Sequence, residues 1–228
     1  MEILVLGSKE ELAIEAERIF LERFVLAGRL SVALSGGTTP GPAYRRIAAL
    51  PVDWSAVDVW WVDERFVDPS DPESNERLGR ETWLKHIPIP TDHVHPMYRA
   101  GTPEEAALAY EGEWQQCFGN GGVDLAFMGV GPDGHTASIF PGNETIFESD
   151  RLVAPTVSPA GVAQRITLTP KALERCHELV ILVTGVEKAP YVKGLAEGTG
   201  DWPACRVARA AKRVTLLTDT PAAREIAR

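Results

Sequence analysis

Val123-Asp124-Leu125-Ala126-Phe127-Met128-Gly129-Val130-Gly131-Pro132-Asp133-Gly134-His135-Thr136-Ala137-Ser138-Ile139-Phe140-Pro141-Gly142 is the stretch on which the reading of this chain depends. It opens with a short apolar run after a Gly-rich turn, the pattern of a parallel strand buried on both faces. The glycines then open a loop at the strand's C-terminal end. In an open α/β sheet that edge is where ligands bind, because loops diverge there and helix N-termini point inward with partial positive charge. His135, among these glycines, is the leading candidate for chemistry.

Gly129-x-Gly131-x-x-Gly134 also matches the dinucleotide-binding fingerprint. That fingerprint needs the turn to run into a helix, and an acid about 20 positions on, after the next strand, to hold a ribose. The nearby acids Glu148 and Asp150 precede the next apolar run, residues 151–157, and Pro132 removes a backbone donor that a phosphate cradle would use. The dinucleotide reading is set aside on these grounds.

Bulk properties narrow the class. The 228 residues, 44% of them hydrophobic, suffice for one sizeable domain, expected over residues 1–228. The apolar run at residues 3–6 is too short for a signal or a membrane span, and no basic leader precedes it. Cys117, Cys176 and Cys205 are odd in number and widely spaced, which suggests neither a disulfide framework nor a zinc site and fits a cytoplasmic protein. A net charge of −9 argues against a nucleic-acid surface. A small anionic substrate remains open, since a few arginines and oriented amides can make one pocket positive.

Working back towards the N-terminus, residues 3–6 read as a buried strand, and Ser8-Lys9-Glu10-Glu11 caps a helix with Leu12, Ala16, Ile19, Phe20 and Phe24 at helical spacing, ended by Gly28. Residues 30–34 form the next strand. It runs into Ser35-Gly36-Gly37-Thr38-Thr39-Pro40 and then a helix to residue 50. A turn of small hydroxylated residues at a helix N-terminus offers successive N–H groups and hydroxyls to an anion such as phosphate; a plain tight turn is the alternative. No Walker lysine follows. Residues 57–62 are a third strand ending in Asp63-Glu64-Arg65, where alternation puts Asp63 and Arg65 on one side and Glu64 on the other. Arg65 can grip a phosphate or pair with Asp63 or Glu64. His93-x-His95 lies in a proline-bracketed connection and reads as a surface loop rather than a metal site. A helix over residues 103–117 carries a core stripe of Ala107, Tyr110, Trp114 and Cys117. His86 and His177 have no chemical company and read as structural.

Working forward, Arg165-Ile166-Thr167-Leu168-Thr169 alternates as a strand, and Pro170 starts a short helix. Residues 179–183 are a buried strand ending at Thr184-Gly185-Val186-Glu187-Lys188, which sets Lys188 at the start of another helix and at the same sheet edge. Residues 214–217 give a last strand. No internal repeat, low-complexity tract or linker is present.

Ser35-Gly36-Gly37-Thr38-Thr39-Pro40, Asp63-Glu64-Arg65 with Ser74-Asn75, residues 131–142, Arg165-Ile166-Thr167-Leu168-Thr169 and Gly185-Val186-Glu187-Lys188 together resemble the 6-phosphogluconolactonase family, in the family's order and over nearly the whole chain. The related glucosamine-6-phosphate deaminases share an Asp-Gly-His loop but typically continue into Asn-Glu-Pro, whereas Ser138-Ile139-Phe140-Pro141-Gly142 follows here. Pro132 stands where the family commonly has an aliphatic or small polar residue, a variable position. The resemblance implies an α/β, Rossmann-like three-layer sandwich with a mostly parallel sheet, of the sugar-phosphate isomerase/deaminase type. It implies hydrolysis of 6-phospho-D-glucono-1,5-lactone in the oxidative pentose phosphate pathway, with no metal and no cofactor. An amino-sugar-phosphate deaminase and a sugar-phosphate-binding regulator are the alternatives on the same fold. The expected partner is the small-molecule lactone, with neither nucleic acid nor membrane, in a monomer or small homo-oligomer.

The residue chemistry supports these roles in its own terms. An imidazole ordinarily titrating near pH ~6.5 can take a proton from water at neutral pH, which makes His135 the candidate general base. Asp133 is placed either to orient the ring or to stabilise the turn. The oxyanion falls to loop N–H groups around residues 129–134 or to Lys188. Ser35, Gly36, Gly37, Thr38, Thr39, Arg65, Arg165 and Lys188 are the candidate binding residues for the 6-phosphate, with Asp63 beside them.

Overall fold

The computed structural model describes residues 1–147 and 149–226, with Glu144 and Thr145 as backbone only; Glu148, one of the two acids weighed against the dinucleotide reading, lies outside the described residues. In chain order the elements are β1 (Glu2–Leu6), α1 (Lys9–Ala27), β2 (Leu30–Leu34), α2 (Gly41–Ile47), β3 (Val57–Trp61), β4 (Asp63–Arg65), α3 (Asn75–Thr82), α4 (Pro103–Phe118), β5 (Leu125–Gly129), α5 (Glu144–Phe147), β6 (Val153–Val157), β7 (Gln164–Leu168), α6 (Pro170–Arg175), β8 (Glu178–Val183), α7 (Ala189–Glu197), α8 (Pro203–Ala210) and β9 (Val214–Asp219). Six strands form a parallel sheet in the order β1-β9-β8-β5-β2-β3. β4, β7 and β6 form a small antiparallel sheet.

The interior strands β2 and β8 are buried at every residue, as continuous apolar runs covered on both faces should be. β1 departs from the expected buried strand. It lies at the sheet edge, paired only with β9, and Val5 keeps 51% of its surface exposed. α1 starts where the Ser8 side chain accepts the N–H of Glu11 and stops at Gly28, whose φ of 70° favours glycine. Its face of Leu12, Ala16, Ile19 and Phe20 is buried.

Trp60 and Trp61 are neighbours on β3 and point to opposite faces, which builds the three layers. Trp60 packs on Trp114 and Phe118 of α4 at 5.4 and 5.0 Å between ring centres. Trp61 packs on α3, where a side chain at Gly79 would meet its ring at 3.2 Å. The α4 stripe differs at its last position: Cys117 is exposed and Phe118 turns inward instead. The His93-x-His95 segment is no simple surface loop. His95 is buried, stacked on Trp60 at 3.9 Å, with Nδ1 2.6 Å from Glu113. The aromatic face of β3 supplied an apolar surface that the proline-bracketed local sequence does not contain.

Asp63, Glu64 and Arg65 do not continue β3. Val62 donates to Leu34 of β2 and accepts from Leu168 at the end of β7, so the chain leaves one sheet and enters the other at that residue. The expected alternation survives the change of sheet. The helices without a counterpart in the sequence reading are α3, α5 and α8, the first capped by Ser74 and the last carrying Pro203 in its first turn. No helix among the described residues is long and apolar enough to cross a membrane.

Candidate active site

β2 and β5 are neighbours whose chain connections run in opposite directions, β2 on to β3 at one edge and β5 on to β8 and β9 towards the other. The loops leaving their C-terminal ends diverge and leave a crevice, the switch point at which open α/β sheets bind ligands. A cleft of about 500 Å³ lies there. It is lined by all eleven candidate residues: Ser35, Gly36, Gly37, Thr38, Thr39, Asp63, Arg65, Asp133, His135, Arg165 and Lys188.

The loop that carries His135 is a tight turn closed on itself. Gly131 N–H donates to the His135 carbonyl at 2.8 Å, and Gly134, at φ 83°, donates to the Gly131 carbonyl at 3.1 Å. Asp133 Oδ1 accepts the His135 N–H at 3.1 Å and lies 2.6 Å from His135 Nδ1, so the two roles open for Asp133 are combined. Partial burial works to raise the Asp133 pKa, but the His135 N–H and ring outweigh it and hold the carboxyl below its usual range. With Nδ1 engaged, Nε2 is the nitrogen left for a proton transfer. Gly131 must lack a side chain, because a Cβ there would fall 2.1 Å from the His135 ring. No helix follows this loop before α5, contrary to the dinucleotide pattern.

The N–H groups of Gly131, Gly134 and His135 are all bonded within the turn, which narrows the loop donors open to an oxyanion to the other N–H groups of residues 129–134. Those of Gly36, Gly37 and Thr38 take no protein acceptor among the described residues. Buried Tyr44 of α2 fixes the start of that loop, its hydroxyl donating to the Ser35 carbonyl and accepting the Ser35 N–H, both at 3.0 Å.

Arg65 and Arg165 face each other across the β4–β7 ladder. Like charges directly opposite on a sheet repel. Burial and then Arg65 pull the Arg165 pKa down, against Asp63, Glu73 and Glu64. Arg65 makes no salt bridge to Asp63 or Glu64 among the described residues; it donates to the Glu73 carbonyl instead. Two crowded guanidinium groups at the wall of a cleft are electrostatically suited to an anion. Lys188 lines the same cleft, and burial lowers its pKa against Glu187 and Asp133.

Asp63 is tied on the cleft side rather than free, its Oδ2 accepting the Ser138 hydroxyl at 2.6 Å and its carbonyl the Asn75 amide at 2.8 Å. Glu64, on the other side, accepts the N–H groups of Arg65, Asn75 and Glu76, each at 2.7 Å, and the Ser74 hydroxyl at 3.1 Å. Burial pushes its pKa up to about 7 against the pull of those backbone donors. Asn75 and Ser138 also line the cleft; both lie in segments that carry the family resemblance, and the local sequence gives neither a role. Ala137, at φ 49°, is the one non-glycine with positive φ among the described residues, and it turns the chain between His135 and Ser138. No group of three or more His, Cys, Asp or Glu among the described residues is arranged to hold a metal.

Residues 7–216 match the sequence profile of the glucosamine-6-phosphate isomerases/6-phosphogluconolactonase family. The chain belongs to this family. A 6-phosphogluconolactonase of Nostoc sp. is 37% identical over 169 residues, 72% of this chain and 70% of that protein. One from Mycobacterium tuberculosis is 36% identical over 183 residues, 75% and 74% of the two chains. Among solved structures, 6-phosphogluconolactonase from Trypanosoma cruzi superposes with a TM-score of 0.88 at 29% identity, covering 100% of this chain and 97% of that one. A monomeric glucosamine-6-phosphate deaminase superposes with a TM-score of 0.86 at 22% identity, covering 98% and 99%, a likeness of fold. The mostly parallel sheet with flanking helices is the family's α/β architecture.

Proposed function

We propose that this protein is a single catalytic domain that hydrolyses 6-phospho-D-glucono-1,5-lactone to 6-phospho-D-gluconate in the cytoplasm, with His135 as the base. The observation that carries the chemistry is the Asp133–His135 contact at 2.6 Å in a cleft that Arg65 and Arg165 also line.

Water attacks the lactone carbonyl while His135 Nε2 takes one of its protons. Asp133 holds the other nitrogen in its protonated tautomer and stabilises the imidazolium. The oxyanion is met by Lys188 or by the uncommitted N–H groups after β2. When the ring C–O bond breaks, the imidazolium returns its proton to the departing ring oxygen, giving the 5-hydroxyl and the carboxylic acid. The phosphate is held by Arg65, Arg165, Lys188 and residues 35–39, so that binding at the nonreacting end positions the reacting one.

The test is a coupled assay in which glucose-6-phosphate dehydrogenase generates the lactone and 6-phosphogluconate dehydrogenase reports the acid, beside a no-enzyme blank. Wild type accelerates the signal, and His135→Ala falls to the blank. Equal turnover by the two proteins at saturation discards His135 as the base. No acceleration by folded wild type discards the lactonase reading, and ammonia release from glucosamine 6-phosphate then tests the deaminase.

A further inference from the structure

Four carbonyls of the turn at residues 131–135 accept hydrogen bonds, two from inside the turn and two from outside. Those of Gly131 and His135 accept within the turn. Those of Pro132 and Gly134 reach outward, the first accepting the Tyr191 hydroxyl at 2.8 Å and the second the Ala204 N–H at 3.1 Å. Trp202 fills the space between. Its ring stands edge-on to Tyr191 at 5.0 Å, and a Cβ on Gly134, Gly194 or Gly200 would meet it at 2.8, 3.0 or 2.5 Å. Three glycines thus form the seat of one indole, and none could carry a side chain with the ring in place.

Neither Tyr191 nor Trp202 lines the cleft. Both act on the turn that holds Asp133 against His135, two residues apart in a loop that a small shift would open. Tyr191 also lies on α7, whose N-cap is Lys188. One helix therefore carries a cation of the binding cleft at its start and a hydroxyl on the catalytic turn within its first turn.

Resting on the reading of His135 as the base, we propose that Tyr191 and Trp202 are positioning residues that brace residues 131–135 against α7 and α8, keeping the imidazole in line with the substrate held near Lys188. Misplacement of a catalytic group by a fraction of an ångström is felt in the chemical step rather than in binding.

Tyr191→Phe removes one hydrogen bond and keeps the ring, so the fold is preserved. We expect kcat to fall roughly three- to tenfold with KM within about twofold, and the same substitution to add no further loss in an Asp133→Asn background. Trp202→Phe, which empties part of the seat, gives the same pattern. A reading independent of activity is the His135 Nδ1 proton resonance, identified by its absence in His135→Ala, which shifts in Tyr191→Phe. An unchanged kcat and resonance, a loss confined to KM, or full additivity with Asp133→Asn overturns the proposal. Failure of the lactonase reading shows differently, as inactive wild type with the resonance still responding to Tyr191→Phe.

Discussion

Gly131→Ala isolates the geometry of the base with a single methyl group. The backbone of Gly131 is compatible with alanine, since its φ is not positive. The added Cβ would lie 2.1 Å from both Nδ1 and Cε1 of His135. Carbon and nitrogen settle near 3.5 Å, so the ring must retreat by about 1 to 1.5 Å. The 2.6 Å contact with Asp133 Oδ1 does not survive such a shift. A misplacement of that size costs about 10²-fold in rate, or ~2.7 kcal/mol of transition-state stabilisation. Overpacking adds about 1–3 kcal/mol to the cost of folding, which lowers the melting temperature without unfolding the protein. Gly129→Ala is the matched control two residues earlier. Its Cβ meets nothing within 4 Å and Gly129 lines the cleft, so kcat is retained and any change falls on KM. The coupled lactone assay at saturating substrate separates the two variants. Folded Gly131→Ala with kcat close to wild type would falsify the claim that ring placement against Asp133 drives the reaction.

Three other expectations follow from the same geometry. On the proposed reading, Arg165→Ala removes charge-assisted hydrogen bonds to the phosphate worth about 1.5–3 kcal/mol, lowering kcat/KM roughly 10- to 150-fold through KM in the coupled assay, and an unchanged KM contradicts it. Well above the Glu64 pKa of about 7, Glu64→Gln places an amide NH₂ against backbone N–H groups that now donate to a carboxylate, costing about 2–3 kcal/mol, or on the order of 5–10 °C in thermal unfolding, and a melting temperature equal to wild type under those conditions contradicts it. Asp133, held below its ordinary 3.8 in the folded protein, contributes stability that is present above pH 3.8 and lost only as the pH falls through its lower folded value. Thermal unfolding of wild type and Asp133→Asn, compared from about pH 6 down to about pH 2, checks this: the stability difference between the two proteins closes as the pH falls below the folded Asp133 value, and a difference constant over that range contradicts it.

Much of the fold was legible because its signals are local. Apolar runs mark β2, β5 and β8, Ser8 and Gly28 bracket α1, and the small residues after β2 mark a loop at the sheet edge. The edge strand β1 was read as buried because a short apolar run looks the same at the centre and at the rim of a sheet. α3 was missed because its sequence, Asn75–Thr82, is mostly polar and its helix is secured from outside, by Glu64 accepting two of its first N–H groups.

The sequence by itself determined which candidate residues lie at the sheet edge: His135 and Asp133 two apart in a glycine-rich turn, hydroxyls and glycines after β2, Lys188 after β8. Spacing of that kind is a property of neighbouring residues. Tertiary structure alone decided that Arg65 faces Arg165 across a second sheet, that Asp63 is held by Ser138 and Asn75, that His95 is buried on Trp60, and that Tyr191 reaches the Pro132 carbonyl. Each of these joins residues separated by about ten to a hundred positions. Their contact depends on where the chain switches sheets and how the helices pack, and no local period or turn preference encodes it.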